Sequence, residues 1–134
     1  MRTLTRLLAA LTGVVLTLGL LGAATLPANA ADKTKREISI SIKQPKPRKV
    51  IIQGGVKPST GSPINAILQR RLCHQKGCKA KWSKLRSFKT NSKGRYTQRI
   101  YPAKGYKWTY FRVHTAPTKK YKGATSGAAY IQRL

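Results

Sequence analysis

The sequence predicts an all-β fold, a seven-stranded β-sandwich over residues 38–134, and three observations carry that reading. Apolar residues alternate with polar ones at period two in short runs, the signature of half-buried strands. Turn residues separate the runs at intervals of about 8–12 residues, as in a sandwich. After residue 31 no segment holds an apolar 3.6-residue period for three turns, and prolines and glycines recur too often for helices.

The strands can be taken in order. Ile38, Ile40 and Ile42 alternate with Ser39, Ser41 and Lys43 to give the first. Pro45 and Pro47 break it, which predicts a kink or a crossing between sheets. Val50, Ile51 and Ile52 form a β-branched run that is expected to end at Gly54-Gly55. The segment Pro58-Ser59-Thr60-Gly61-Ser62-Pro63 is dense in turn residues. Ile64, Ala66, Leu68 and Leu72 make the apolar set of a third strand, with Ile67 facing the other way. Trp82, Leu85 and Phe88 mark a fourth, and their uneven spacing predicts a bulge. Beyond Asn91-Ser92-Lys93-Gly94, the residues Tyr96, Gln98 and Ile100 set a fifth strand. Tyr106, Trp108 and Tyr110 share one face of a sixth, with Phe111 and Val113 at the opposite parity. Much of the aromatic set Tyr96, Tyr101, Tyr106, Trp108 and Tyr110 is expected to serve the core. Residues 121–131 supply a seventh strand rich in small side chains.

Residues 1–30 read as a signal peptide. Arg2 and Arg6 precede an apolar run over residues 7–26, and Ala28-Asn29-Ala30 fits a small-residue cleavage site. Arg2 and Arg6 are not adjacent, which argues against a twin-arginine signal, and no Cys stands near the cleavage point for lipid attachment. The expected location is therefore extracellular, released or held at the cell envelope. Residues 31–37 read as a flexible polar tail.

Charge is the strongest quantitative feature. The chain has 28 Lys and Arg against two acids. Removal of the leader takes Arg2 and Arg6, leaving 26 basic residues and a net charge of +24 on the remaining 104 residues. Asp32 and Glu37 are the only acids, so residues 38–134 carry no carboxylate side chain. Salt bridges to side-chain carboxylates therefore cannot hold this part together, and apolar burial must overcome its self-repulsion. The basic residues are spread along the strands and loops, and such a surface attracts polyanions. Paired-carboxylate hydrolysis is excluded in residues 38–134, and a Ser-His-Asp triad lacks its acid there.

Ile100, Pro102 and Tyr106 have the spacing of a tyrosine corner, in which a hydroxyl near the start of the sixth strand bonds to upstream backbone. Around it, Gly54-Gly55-Val56-Lys57-Pro58 precedes Ala66-Ile67-Leu68-Gln69-Arg70, Trp82, Gly94-Arg95-Tyr96 and Tyr110-Phe111-Arg112-Val113. This order, over residues 50–134, resembles secreted actinobacterial proteins with immunoglobulin-like or fibronectin-III-like domains. In that pattern the opening has one Gly fewer, Val stands where this chain has Ala66, and Phe111 here separates Tyr110 from Arg112. The resemblance implies an immunoglobulin-like sandwich and extracellular placement. It carries over no functional residue.

Cys73 and Cys78 enclose His74-Gln75-Lys76-Gly77, and in an oxidising compartment they form the one internal disulfide two cysteines allow. Cys73, His74 and Cys78 could offer metal ligands, but four-ligand zinc would need His114 as well, so no metal and no cofactor is expected. Four residues between the cysteines also disfavour a redox motif. His74 and His114 could together cleave RNA by acid–base catalysis, although nothing in the spacing joins them. Lys and Arg interleaved with Tyr96, Tyr101, Tyr106, Trp108 and Tyr110 are compatible with nucleic-acid binding.

The expected function is a non-enzymatic, secreted module, monomeric because like-charged copies repel. It binds anionic polymers: wall polymers, extracellular nucleic acid or an anionic lipid surface. No small-molecule substrate is expected. The alternatives are a secreted cationic effector acting on other cells or nucleic acid, or a small ribonuclease. Charge density points to Lys76, Lys79, Lys81, Lys84, Arg86 and Lys89, and to Lys119, Lys120 and Lys122, as polyanion contacts.

Overall fold

In the computed structural model, which describes residues 32–134, the isoleucine alternation becomes strand β1, Glu37–Lys46, with Ile38, Ile40 and Ile42 packed against the core. The signal peptide assigned to residues 1–30 lies outside the described residues. The other strands are β2 (Lys49–Lys57), β3 (Asn65–Cys73), β4 (Ser83–Lys89), β5 (Arg95–Ile100), β6 (Trp108–Thr115), β7 (Ala124–Thr125) and β8 (Ala129–Gln132). No helix occurs among the described residues.

The strands form two antiparallel sheets, ordered β1-β2-β5 and β4-β3-β6-β7, with β8 also paired to β6. One core serves both: Ile52, Tyr96 and Ile100 come from the first sheet, and Ala66, Leu68, Phe111 and Val113 from the second. That is the arrangement of a β-sandwich. The expected seventh strand is two short ones on the same edge of β6. Between them Ser126 keeps the ladder closed. Its N–H donates to the Val113 carbonyl, and its hydroxyl accepts the Val113 N–H, each at 2.8 Å.

Two sequence readings need correction at β1 and β2. Pro45 and Pro47 mark the kink and not a crossing between sheets: the β1–β2 register shifts between Lys43 and Lys46. β1 runs through Pro45 and turns at Pro47-Arg48 straight into β2, with Lys46 opposite Lys49 and Arg48 at a φ of 60°. β1 is an edge strand, where a missing backbone donor costs no ladder bond. Nor do Gly54 and Gly55 end β2, which continues to Lys57.

The reason Gly54 sits mid-strand is Tyr96. Tyr96 lies opposite Gly54 on β5 and donates its hydroxyl to the Ser39 carbonyl of β1 at 2.5 Å. A Cβ at Gly54 would collide with that carbonyl and stand 2.7 Å from the Tyr96 hydroxyl. Burial pushes the Tyr96 phenol well above its usual pKa. Tyr96 thus provides the hydroxyl-to-backbone bond expected of Tyr106. Tyr106 instead stacks on His74, with ring centroids 4.7 Å apart.

The predicted bulge is present. Leu68 pairs Arg86 while Gln69 pairs Lys84, so Leu85 is the extra residue. Within the segment read as a flexible tail, Thr34 makes a parallel bridge to Tyr121. Its N–H donates to the Lys120 carbonyl and its own carbonyl accepts the Lys122 N–H, both at 2.9 Å.

Candidate functional site

Register decides which side chains of the second sheet face outward. Thr109, Phe111, Val113 and Thr115 of β6 are buried, so by period two Trp108, Tyr110, Arg112 and His114 occupy the opposite face. Cross-strand pairing adds Arg71 opposite Tyr110, Gln69 opposite Arg112 and Ile67 opposite His114, with Cys73, itself buried, opposite Trp108. From β8, Tyr130 joins opposite Tyr110. The aromatic residues of β6 expected to serve the core therefore belong to the outer face. Phe111 alone among them points inward.

The loop between β3 and β4 folds onto this face. The Cys73–Cys78 disulfide is formed, and Gly77 takes a φ of 73°, which a residue with a Cβ adopts only at a cost. The Gly77 N–H donates to the Tyr110 hydroxyl at 2.7 Å. Arg71 Nη1 donates to the Cys78 carbonyl at 3.3 Å. Trp82, at the end of the loop, receives two guanidinium groups on its ring: Arg112 at 4.3 Å and Arg71 at 4.5 Å from the centroid. Arg112 Nε also donates to Gln69 Oε1 at 2.7 Å.

Arg71 and Arg112 are like charges close enough to sense each other. Burial, and then the Arg71 charge, lower the Arg112 pKa from its usual value. The sequence offers no carboxylate side chain after Glu37 to neutralise them. The Trp82 indole, the Gln69 amide oxygen and the Cys78 carbonyl take that place, and each supplies only partial negative charge. Such a pair is suited to a phosphodiester or another oxyanion, which brings the missing full charge and matches the planar donors of arginine.

Beside this pair the rings continue. Trp108 and Tyr130 meet edge to face at 5.4 Å, and Tyr110 and Tyr130 lie 5.5 Å apart. The Lys76 ammonium stands 5.6 Å from both the Trp108 and the Tyr130 ring centroids.

The sequence-predicted cations divide between two ends of the sheet. Lys76, Lys79 and Lys81 lie in the loop that leaves β3 at Cys73, at the Trp108 end of β6. Lys84 follows on β4 opposite Gln69. Lys89 pairs Asn65 at the far end, and Lys119, Lys120 and Lys122 lie in the segment that leaves β6 after Thr115, so these four belong to the other end. Arg86 differs from the others. It is half-buried, and its Nη2 donates to the Arg99 carbonyl of β5. Arg71 and Arg112 were missed because their charge density along the chain is ordinary; only the pairing of β3 with β6 makes them neighbours.

The first sheet carries an open trough of about 1050 Å³. Gly54, Gly55 and Ser39 contribute to it, as do Lys35, Lys57, Lys93 and Arg95 and the acid Glu37.

The two histidines do not meet. His74 adjoins Cys73, opposite Trp108, whereas His114 lies opposite Ile67, with its Nδ1 2.9 Å from Thr125 Oγ1. Six residues of strand separate those positions, a span of about 20 Å. No group of three or more His, Cys, Asp or Glu occurs together among the described residues. No protein-family model matches the chain, and no curated protein or solved structure is significantly similar to it.

Proposed function

We propose that the chain is an exported, non-enzymatic binding module, an immunoglobulin-like β-sandwich that follows a cleaved signal peptide and holds anionic polymers at or near the cell envelope. The likeness in residue order to secreted actinobacterial proteins supports export and the sandwich subtype. The observation that carries the binding function is a folded body whose sequence has no carboxylate side chain after Glu37, combined with a sheet face on which two arginines lie together over one indole. A polymer of closely spaced anions supplies the charge that this surface lacks, and it releases counterions as it binds.

The test is equilibrium binding of the exported protein to inorganic polyphosphate at increasing salt. The logarithm of the association constant should fall linearly with the logarithm of salt concentration. A contact set of about six phosphates loses roughly a thousandfold in affinity between 50 and 200 mM salt. An affinity that stays level across that range would remove the electrostatic account.

A further inference from the structure

We infer that the polymer this surface is built to take is single-stranded nucleic acid, bound through stacking at the Trp108 end of the sandwich; the inference rests on the polyanion reading above. Cations alone satisfy polyphosphate. Exposed aromatic rings beside those cations add nothing for that ligand, but they do serve a ligand that carries flat bases between its phosphates.

The exposed large aromatic residues among those described are Tyr101 and Tyr130, 60% and 46% exposed. Exposed apolar rings scattered singly are ordinary on protein surfaces. These two share features that scatter does not explain. Each is accompanied by a cation: the Arg99 guanidinium lies 5.2 Å over the Tyr101 ring, and Lys76 lies 5.6 Å from that of Tyr130. Both also lie at one end of the molecule. Tyr101 opens the short connection from β5 to β6, which delivers the chain to Trp108, and Tyr130 pairs with Tyr110 two residues further along β6. Between phosphates, an unpaired base can lie against a tyrosine whose neighbouring cation meets the backbone. The Arg71–Arg112 pair, stacked on Trp82, provides an adjoining phosphate site on the face that carries Tyr130. A duplex hides its base faces by stacking, so these rings discriminate in favour of single strands.

The experiment compares three labelled probes of equal length at one salt concentration: oligothymidylate, an abasic phosphodiester strand and a DNA duplex. Binding is followed by anisotropy, with quenching of the tryptophan emission as a second readout. One stacked base strengthens binding by about fivefold to a hundredfold, so oligothymidylate should exceed the abasic strand by at least about fivefold. The double variant Tyr101→Ala, Tyr130→Ala should lose that margin and keep its affinity for the abasic strand. Both residues are exposed, and an unchanged melting temperature checks the fold of the variant. Equal affinity for oligothymidylate and the abasic strand, or duplex binding as tight as the single strand, overturns the stacking inference and leaves the polyanion reading standing. Failure of all three probes to bind at low salt overturns both.

Discussion

At Gly54 the absence of a side chain lets the Tyr96 hydroxyl reach the Ser39 carbonyl, and any Cβ there meets backbone. Gly55, its neighbour, has no such obligation. A Cβ at Gly55 would find its nearest atoms at 3.6 and 3.9 Å, ordinary contact distances. The pair therefore predicts opposite outcomes for the same substitution. Gly55→Ala should stabilise the fold by about 0.5–1 kcal/mol, because it restricts the unfolded chain at no cost to the folded one. Gly54→Ala should destabilise it, by more than that gain, because the alanine must displace strand backbone or break the Tyr96 bond. Urea denaturation of both variants checks this, and a stabilised Gly54→Ala would show that the Tyr96 contact does not hold the strand pair. The sequence could not show this asymmetry. Two adjacent glycines read as punctuation until Tyr96, 42 positions beyond Gly54, and Ser39 are known to converge on one of them.

Among the elements, strands with one apolar face were legible and strands with two were ambiguous. Ile38, Ile40 and Ile42 announce β1 and its inward face without help. In β6, Trp108 and Tyr110 compete with Phe111 and Val113, and both parities look fit for burial. Pairing with β3, where Leu68 lies opposite Val113 inside, resolves the choice, and it hands the rings to the outer face. The candidate site was hidden for the same reason, since it is made by register across strands. The loop over residues 74–82 was legible at its disulfide alone. Its contacts through Gly77 and Trp82 need the folded sheet beneath them. This loop carries an element-scale prediction. Replacing both cysteines with serine frees a short loop, and loop-closure entropy sets the loss at about 2 kcal/mol. The variant should also expose Tyr110 and Trp82, which a red shift in tryptophan emission would report. Unchanged emission would mean that the loop holds its place by the Gly77 and arginine contacts without the crosslink.

For the molecule as a whole, the near absence of acids gives salt two opposite effects. Screening relieves repulsion among cations that have no carboxylate partners after Glu37, so folding gains. The same screening would weaken the proposed hold on a polymer. The melting temperature should therefore rise between about 10 and 300 mM sodium chloride, within a Debye-screening regime, while polyphosphate affinity falls. A melting temperature that drops over this range would mean that attractions, rather than repulsions, dominate the folded surface. One further consequence concerns the borders of the sheets. β1 and β5 edge the first sheet and β4 edges the second, and these strands bring Lys43, Lys46, Arg95, Arg99, Lys84 and Lys89 to the margins. Positive charge along an open strand deters another copy from zipping onto it. On the proposed function, a polymer that fills the surface would cancel that deterrent, and loaded molecules would lose the guard that keeps free ones apart.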